Sequence, residues 1–290
     1  MAVNNSLTQQ KPKFSVAISS ESYRKLINNT LGNPKRSERF VASISSAVAT
    51  NPALQECDAG SILSAALLGE ALGLSPSPQL GQYYLVPFND KKRGGKVAQF
   101  QLGYKGYIQL AIRSGQYKKL NVLAIKDGEL VNYSPLDEDI EVRLIEDDIE
   151  RENAQTIGYY AMFEYTNGFR KAMYWSYEKM QAHADRFSQA YSAEAHARLI
   201  AGEIPQGDMW KFSSFWCKDF DGMAIKTMLR QLISKWGIMS IEMQNAVEND
   251  MAVIKDDGSK EYVEGVEYDS ASPEPQQSLQ EHPEESDPLS

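Results

Sequence analysis

Cysteine and histidine are scarce: the chain has 2 and 3 of them in 290 residues. Cys57 and Cys217 lie far apart and form no zinc spacing, so they read as reduced thiols of a cytoplasmic protein. His183 and His196 fall in predicted helices and His282 near the end, with no nucleophile motif beside any of them. That argues against a Ser-His or Cys-His hydrolase. Gly94-Gly95-Lys96-Val97 lacks both the spacing and the hydroxyl of a phosphate-cradling loop, which argues against an ATP-driven motor. No apolar run approaches the length of a bilayer span. The opening MAVNNSLTQQKPKF has no apolar centre of the signal-peptide kind, so no membrane contact is expected.

What is present is a globular composition, 42% apolar and 10% aromatic, on a chain long enough for one large domain or two small ones. The net charge of −9 is unevenly spread. Glu248 to Ser290 holds 13 acidic and 2 basic residues, net −11, and the remainder is +2. The body is therefore slightly basic, and the whole-chain charge hides it.

Periodicity orders the elements. Residues 1–36 are polar, with a short helix over Ser20–Leu31. Ser37 suits an N-cap for a helix ending at Asn51-Pro52, and Asp58 caps another that stops at Gly73. Tyr83–Phe88 and Val97–Leu102 form a hairpin with a basic tip, followed by a helix over Lys105–Ser114. Strands are predicted over Leu120–Ile125, Glu129–Tyr133, Ile140–Ile145, Ile157–Tyr165 and Phe169–Trp175. Helices follow over Tyr177–Phe187, Ala193–Ala201 and Asp208–Cys217, and a last one runs from Asp219–Gly222 to Trp236. After about Val247 the chain turns acidic and rich in Pro, Ser and Gln, and disorder is expected.

The stretch from Gln79 to Gln116 carries the functional signal. From Lys91 to Lys119 there are 8 basic residues and no acidic one. Aromatics interleave with them, the pairing that a single-stranded nucleic acid needs. In the helix after Gly103, Tyr104, Tyr107, Ile108, Ala111 and Ile112 form an apolar stripe, while Lys105, Gln109 and Arg113 form a polar one. Gly103 and Gly106 keep the helix start slim, which would admit a phosphate. The last helix repeats the pattern, with Lys226 and Arg230 beside an apolar stripe that includes Trp236, and with Trp210 and Lys211 ahead of it. Each basic face taken alone is most simply a solvated surface; their co-occurrence raises the nucleic-acid reading above that.

The series LGLSPSP (Leu72–Pro78), QLGQYYLVPFN, FQLGYKGYIQLAIRSG (Phe100–Gly115) and WKFSSFWCKDFDGMAIKTMLRQLISKWG (Trp210–Gly237) resembles the RecT family of phage single-strand annealing proteins over roughly residues 35–245. The resemblance implies an α+β fold: a β-hairpin-plus-helix annealing core with an antiparallel sheet, flanked by N- and C-terminal helices and followed by a disordered acidic tail. It divides the chain into a flexible or oligomer-contacting arm (1–36), an annealing domain (37–247) and the tail (248–290). It implies ATP-independent annealing of complementary strands in phage recombination, by an oligomeric ring or helical filament that holds the duplex intermediate in a shared basic groove. The implied partners are single-stranded DNA, a phage exonuclease and, through the tail, a host single-strand binding protein, all in the bacterial cytoplasm. No cofactor is required, with Mg²⁺ only a modulator of binding.

On this reading Lys105, Arg113, Lys211, Lys226 and Arg230 meet phosphates, and Lys91, Lys92, Arg93 and Lys96 reach a strand or a neighbour from the hairpin tip. Gln109 and Gln206 are polar contacts; Tyr104 and Trp210 pack near bases or buttress the groove. The enzymatic alternative is a metal-dependent nuclease built on Asp137-Glu138-Asp139, Glu146-Asp147-Asp148 or Asp219/Asp221, which requires carboxylates converging on metal ions.

Overall fold

The computed structural model describes residues 14–90, 94–188, 191–212, 214–238, 240–255 and 257–262, without the side chain of Trp210. The chain opens with α1 (Phe14–Ala17) and α2 (Glu21–Leu31). From Phe14 onward the expected arm is folded against the body, because Phe14, Ile18 and Ile27 are buried in the main core. The next helix, α3 (Pro34–Thr50), starts three residues before Ser37. Asn33 is its cap, accepting the Arg36 N–H at 3.2 Å, and Pro34 occupies a first-turn position where no N–H is required. Ser37 instead donates its hydroxyl to the Asn33 carbonyl.

A buried helix, α4 (Ala59–Ala71), is apolar on all sides and packs on the hairpin of β1 (Tyr83–Asp90) and β2 (Gly95–Leu102). Asp58 caps it as expected, accepting the Ser61 N–H at 3.0 Å. The hairpin pairs from Tyr83 opposite Leu102 to Asp90 opposite Gly95. Then come α5 (Tyr104–Ser114), β3 (Tyr117–Lys126), a separate ribbon of β4 (Leu130–Ser134) and β5 (Asp139–Val142), α6 (Asp148–Asn153), β6 (Thr156–Tyr165) and β7 (Arg170–Ser176). Strands β3, β6 and β7 form an antiparallel sheet with β6 central. After α7 (Tyr177–Phe187) and α8 (Ala193–Ile200), the helix expected over 208–217 is split into a 3-10 turn, Gln206–Phe212, and the single-turn α9 (Phe215–Lys218). Clustered aromatics there lose rotamer freedom in a helix.

The long α10 (Phe220–Trp236) crosses the sheet. Its Ala224, Met228, Leu229, Leu232 and Ile233 are fully buried, as are Tyr159, Ala161 and Phe163 at alternate positions of β6. Period 3.6 on the helix meets period 2 on the strand, and that seam is the centre of the core.

Order continues past the expected boundary at Val247. α11 (Ile241–Asn249) is followed by β8 (Ala252–Ile254) and β9 (Lys260–Tyr262), whereas residues 263–290 lie outside the described ones. Met251 N–H donates to the Phe100 carbonyl at 2.8 Å, and the Asp250 carboxylate accepts the Leu102 N–H at 2.8 Å. These bonds lie along the side of β2 that β1 leaves open, which an exposed edge strand requires. The acidic composition conceals Ala252, Val253 and Ile254, all buried.

Glu129 is fully buried at the turn after β3 and accepts from the Lys126 and Ile145 N–H groups and from Arg151 at 2.6 Å. Burial works to raise its pKa, but the Arg151 guanidinium and the two N–H donors outweigh it and hold the carboxyl below its ordinary value. Glu129→Gln should cost about 3 kcal/mol at neutral pH. The wild-type advantage is present above the unfolded carboxylate pKa of about 4.3 and fades as pH falls through the lower folded value. Melting curves from pH 3 to 7 should show the gap closing in acid; a gap constant with pH would contradict this.

Candidate nucleic-acid interface

The Gly103–Gly106 helix start is slim for a reason different from the expected one. A Cβ on Gly103 would overlap the Gly81 carbonyl oxygen, and one on Gly106 the Gln82 carbonyl oxygen. Gly103 N–H donates to Gln82 O at 2.8 Å. The chain's own 81–82 backbone therefore occupies the space expected to admit a phosphate. The buried stripe of α5 is also rotated from the expected one: Leu110 is buried and Ile112 is 65% exposed.

The polar stripe of α5 divides by role. Lys105 is exposed, its stem near Gly81, and it makes no ion pair among the described residues. Gln109 and Tyr104 are half-buried, and Tyr104 packs on the core. Arg113 donates to the Leu72 and Gly73 carbonyls at 2.7 and 2.8 Å, a cation at the C-terminal end of α4. Elsewhere in the basic run, Lys96 pairs with Glu56 at 2.6 Å, and Lys118 and Lys119 share Glu164 at 2.5 and 3.6 Å. Folding thus supplies carboxylates that the linear run lacks. Lys91, Lys92 and Arg93 lie outside the described residues.

Lys226 and Arg230 of α10 converge on a buried carboxylate. Asp250 is 0% exposed and accepts from Arg230 at 3.1 Å and from Tyr107 Oη at 3.2 Å, with Lys226 Nζ 4.0 Å away. Burial pulls the Lys226 ammonium below the usual lysine range; Asp250 opposes that pull and the Arg230 charge adds to it. Residues two apart on a helix lie about 200° apart. Since Tyr107 faces Asp250, Lys105 points away from the side of α5 on which Lys226 and Arg230 lie.

Between α7 and α10 is a cavity of about 160 Å³ lined by His183, Lys226, Thr227, Arg230, Gln231 and Lys235, with apolar walls that include Phe187 and Trp216. Its lining has three Lys/Arg cations and no carboxylate. Lys235 also lines a second cleft, of about 330 Å³, against β7 and the β4–β5 ribbon. Sequence reasoning missed His183 and Lys235, along with Lys171, Lys179, Trp175 and Trp236 of that second cleft. Lys179 and His183 stand at i and i+4 on α7, a readable signal. Lys235 falls off the Lys226–Arg230 stripe, so periodicity hides it.

Gln206 is exposed on the 3-10 turn, where Lys211 pairs with Asp208 at 2.8 Å. The Trp210 side chain lies outside the described residues. The acidic residues have structural duties: Asp147 caps α6, Asp219 caps α10, and Asp221 accepts from Tyr159 and Thr156 at 2.6 and 2.8 Å. Among the described residues no three His, Cys, Asp or Glu side chains are grouped to hold a metal ion.

A family model for the RecT family matches residues 38–264. The chain belongs to the RecT family. This RecT-family chain is 39% identical over 262 residues to YqaK of Bacillus subtilis (strain 168), covering 90% of itself and 78% of YqaK. It is 31% identical over 216 residues to Protein RecT of Escherichia coli (strain K12), covering 73% of itself and 71% of that protein. The matched range includes β8 and β9, so the segment on β2 belongs to the family domain. No helix among the described residues is long and apolar enough to cross a membrane.

Proposed function

We propose that this RecT-family protein binds single-stranded DNA and anneals complementary strands without ATP, as an oligomer acting in recombination. The observation that carries the reading is the α7–α10 cavity, whose lining holds three cations and no carboxylate, with the single carboxylate Asp250 behind two of them, in a chain of net charge −9. Phosphates meet Lys235 there, with Lys226 and Arg230 behind it held by Asp250, and Lys105 on the far side of α5, an arrangement suited to a strand passing between neighbouring copies. Cationic contacts of this kind are blind to sequence. Base pairing then selects the partner strand, and duplex formation supplies the driving force. The partners belonging to this reading are a phage exonuclease and a host single-strand binding protein, the latter through the residues after 262, in the cytoplasm of a bacterium, with Mg²⁺ a modulator only.

The test uses two complementary dye-labelled oligonucleotides without nucleotide triphosphate. The protein should accelerate pairing over the spontaneous rate and lose that effect at high salt. Binding without acceleration sinks the annealing reading. Lys105→Ala and Lys235→Ala should each reduce the log–log salt slope of single-strand binding by about 0.7. An unchanged slope in either folded variant removes that lysine from the phosphate path.

A further inference from the structure

The cleft of about 330 Å³ between β7, the β4–β5 ribbon and the end of α10 took no part in the sequence-derived site. Its size falls in the roughly 300–1,000 Å³ range of small-molecule sites. β7 is an edge strand, and its alternation puts Lys171 and Trp175 on the face that α10 covers. Lys171 is 8% exposed, and its ammonium lies 3.5 Å from the Trp236 ring centroid. It also pairs with Glu138, which stands at φ 57° in the turn before β5, a conformation uncommon for a residue with a Cβ. Lys179 lies 4.7 Å from the Trp175 ring centroid. Tyr133 meets Tyr174 edge-on at 5.1 Å. Trp236 is 50% exposed and Tyr133 36%, so both present ring surface to solvent beside the cleft.

We infer that this cleft is a base-stacking subsite, taking one unstacked nucleobase of single-stranded DNA against Trp236 and Tyr133, with its phosphates on Lys179 and Lys235. The inference rests on the DNA-binding reading and adds to it where a base, rather than a phosphate, is held. Three lysines against the single carboxylate Glu138 make the lining positive, which suits a nucleotide. Aromatic faces accept any base, as annealing of arbitrary sequence demands. Lys235 lines both cavities, so a phosphate held by it would lie beside this cleft as well as beside the α7–α10 cavity. The Lys171–Trp236 contact holds the indole in place without covering it completely.

The experiment compares binding of an oligo(dT) and an abasic oligonucleotide of the same length and charge by the full chain. Stacking on an aromatic is worth roughly tenfold in affinity per base, so the wild type should prefer oligo(dT) by about that factor. Trp236→Leu and, independently, Tyr133→Leu should bring the preference toward one while leaving the salt slope as it was. Both sites are exposed, so two separate folded variants are available. If both retain the full preference, the subsite is overturned although DNA binding stands. If the wild type binds neither oligonucleotide, the DNA reading itself falls and the subsite falls with it. If a peptide of residues 263–290 displaces no oligo(dT), occupation by DNA is supported. Competitive displacement that Trp236→Leu abolishes would assign the cleft to the acidic tail and overturn the proposal.

Discussion

Asp250→Ala is expected to lose about 3–5 kcal/mol of stability, the usual cost of removing one partner from a buried charge cluster. The carboxylate is fully buried and satisfies four groups from three parts of the fold: the Leu102 N–H, Tyr107 Oη, Arg230 and, more distantly, Lys226. Without it, two largely buried cations on one face of α10 repel each other, and a buried backbone donor loses its acceptor. The loss should appear as a lower urea midpoint. Adding Lys226→Met to Asp250→Ala should recover part of it, since one uncompensated charge is then gone. A single variant within about 1 kcal/mol of wild type would show that the cluster relaxes into water, a cost of ordinary surface size. The same result would reopen the α10 cations as fully available phosphate ligands.

Gly106→Ala should destabilise by roughly 3 kcal/mol or more, at the upper end for overpacking, because the obstacle is backbone. The added methyl meets the Gln82 carbonyl oxygen and the Leu102 side chain, and neither can turn aside as a flexible surface chain would. Gly115→Ala is the contrasting control: it has open space and is strained only by its φ of 66°, at about 1 kcal/mol or somewhat more. Thermal melts of the two variants should rank Gly106→Ala well below Gly115→Ala. Equal melting temperatures would mean that the 81–82 segment can move away, and that the space expected to admit a phosphate is open after all.

Much of the fold was legible because local physics and tertiary packing agree. Helix α7 spans Tyr177–Phe187 as predicted, and α10 ends at Trp236 as predicted. Asp58 and Asp219 cap their helices as their positions imply. Where the sequence misled, a neighbour distant in the chain had taken part. Lys96, Lys118 and Lys119 read as one uncompensated run until Glu56 and Glu164 arrive from other elements. Arg113 carried the periodicity of a DNA ligand but is bound to the end of α4, 40 residues earlier for the Gly73 carbonyl.

The amino-acid sequence alone determined the α+β class, the hairpin and helix around Gly103–Gly106, and the family resemblance, all of which depend on spacing within short windows. It also determined that the chain's acidity belongs mainly to its end. Only the tertiary structure decided which carboxylates and rings each cation meets, because an ion pair depends on distances between segments that periodicity cannot see. It placed Asp250 on Arg230 and near Lys226, set Lys105 on the other side of α5, and brought Lys171, Lys179 and Lys235 beside the aromatics of the second cleft.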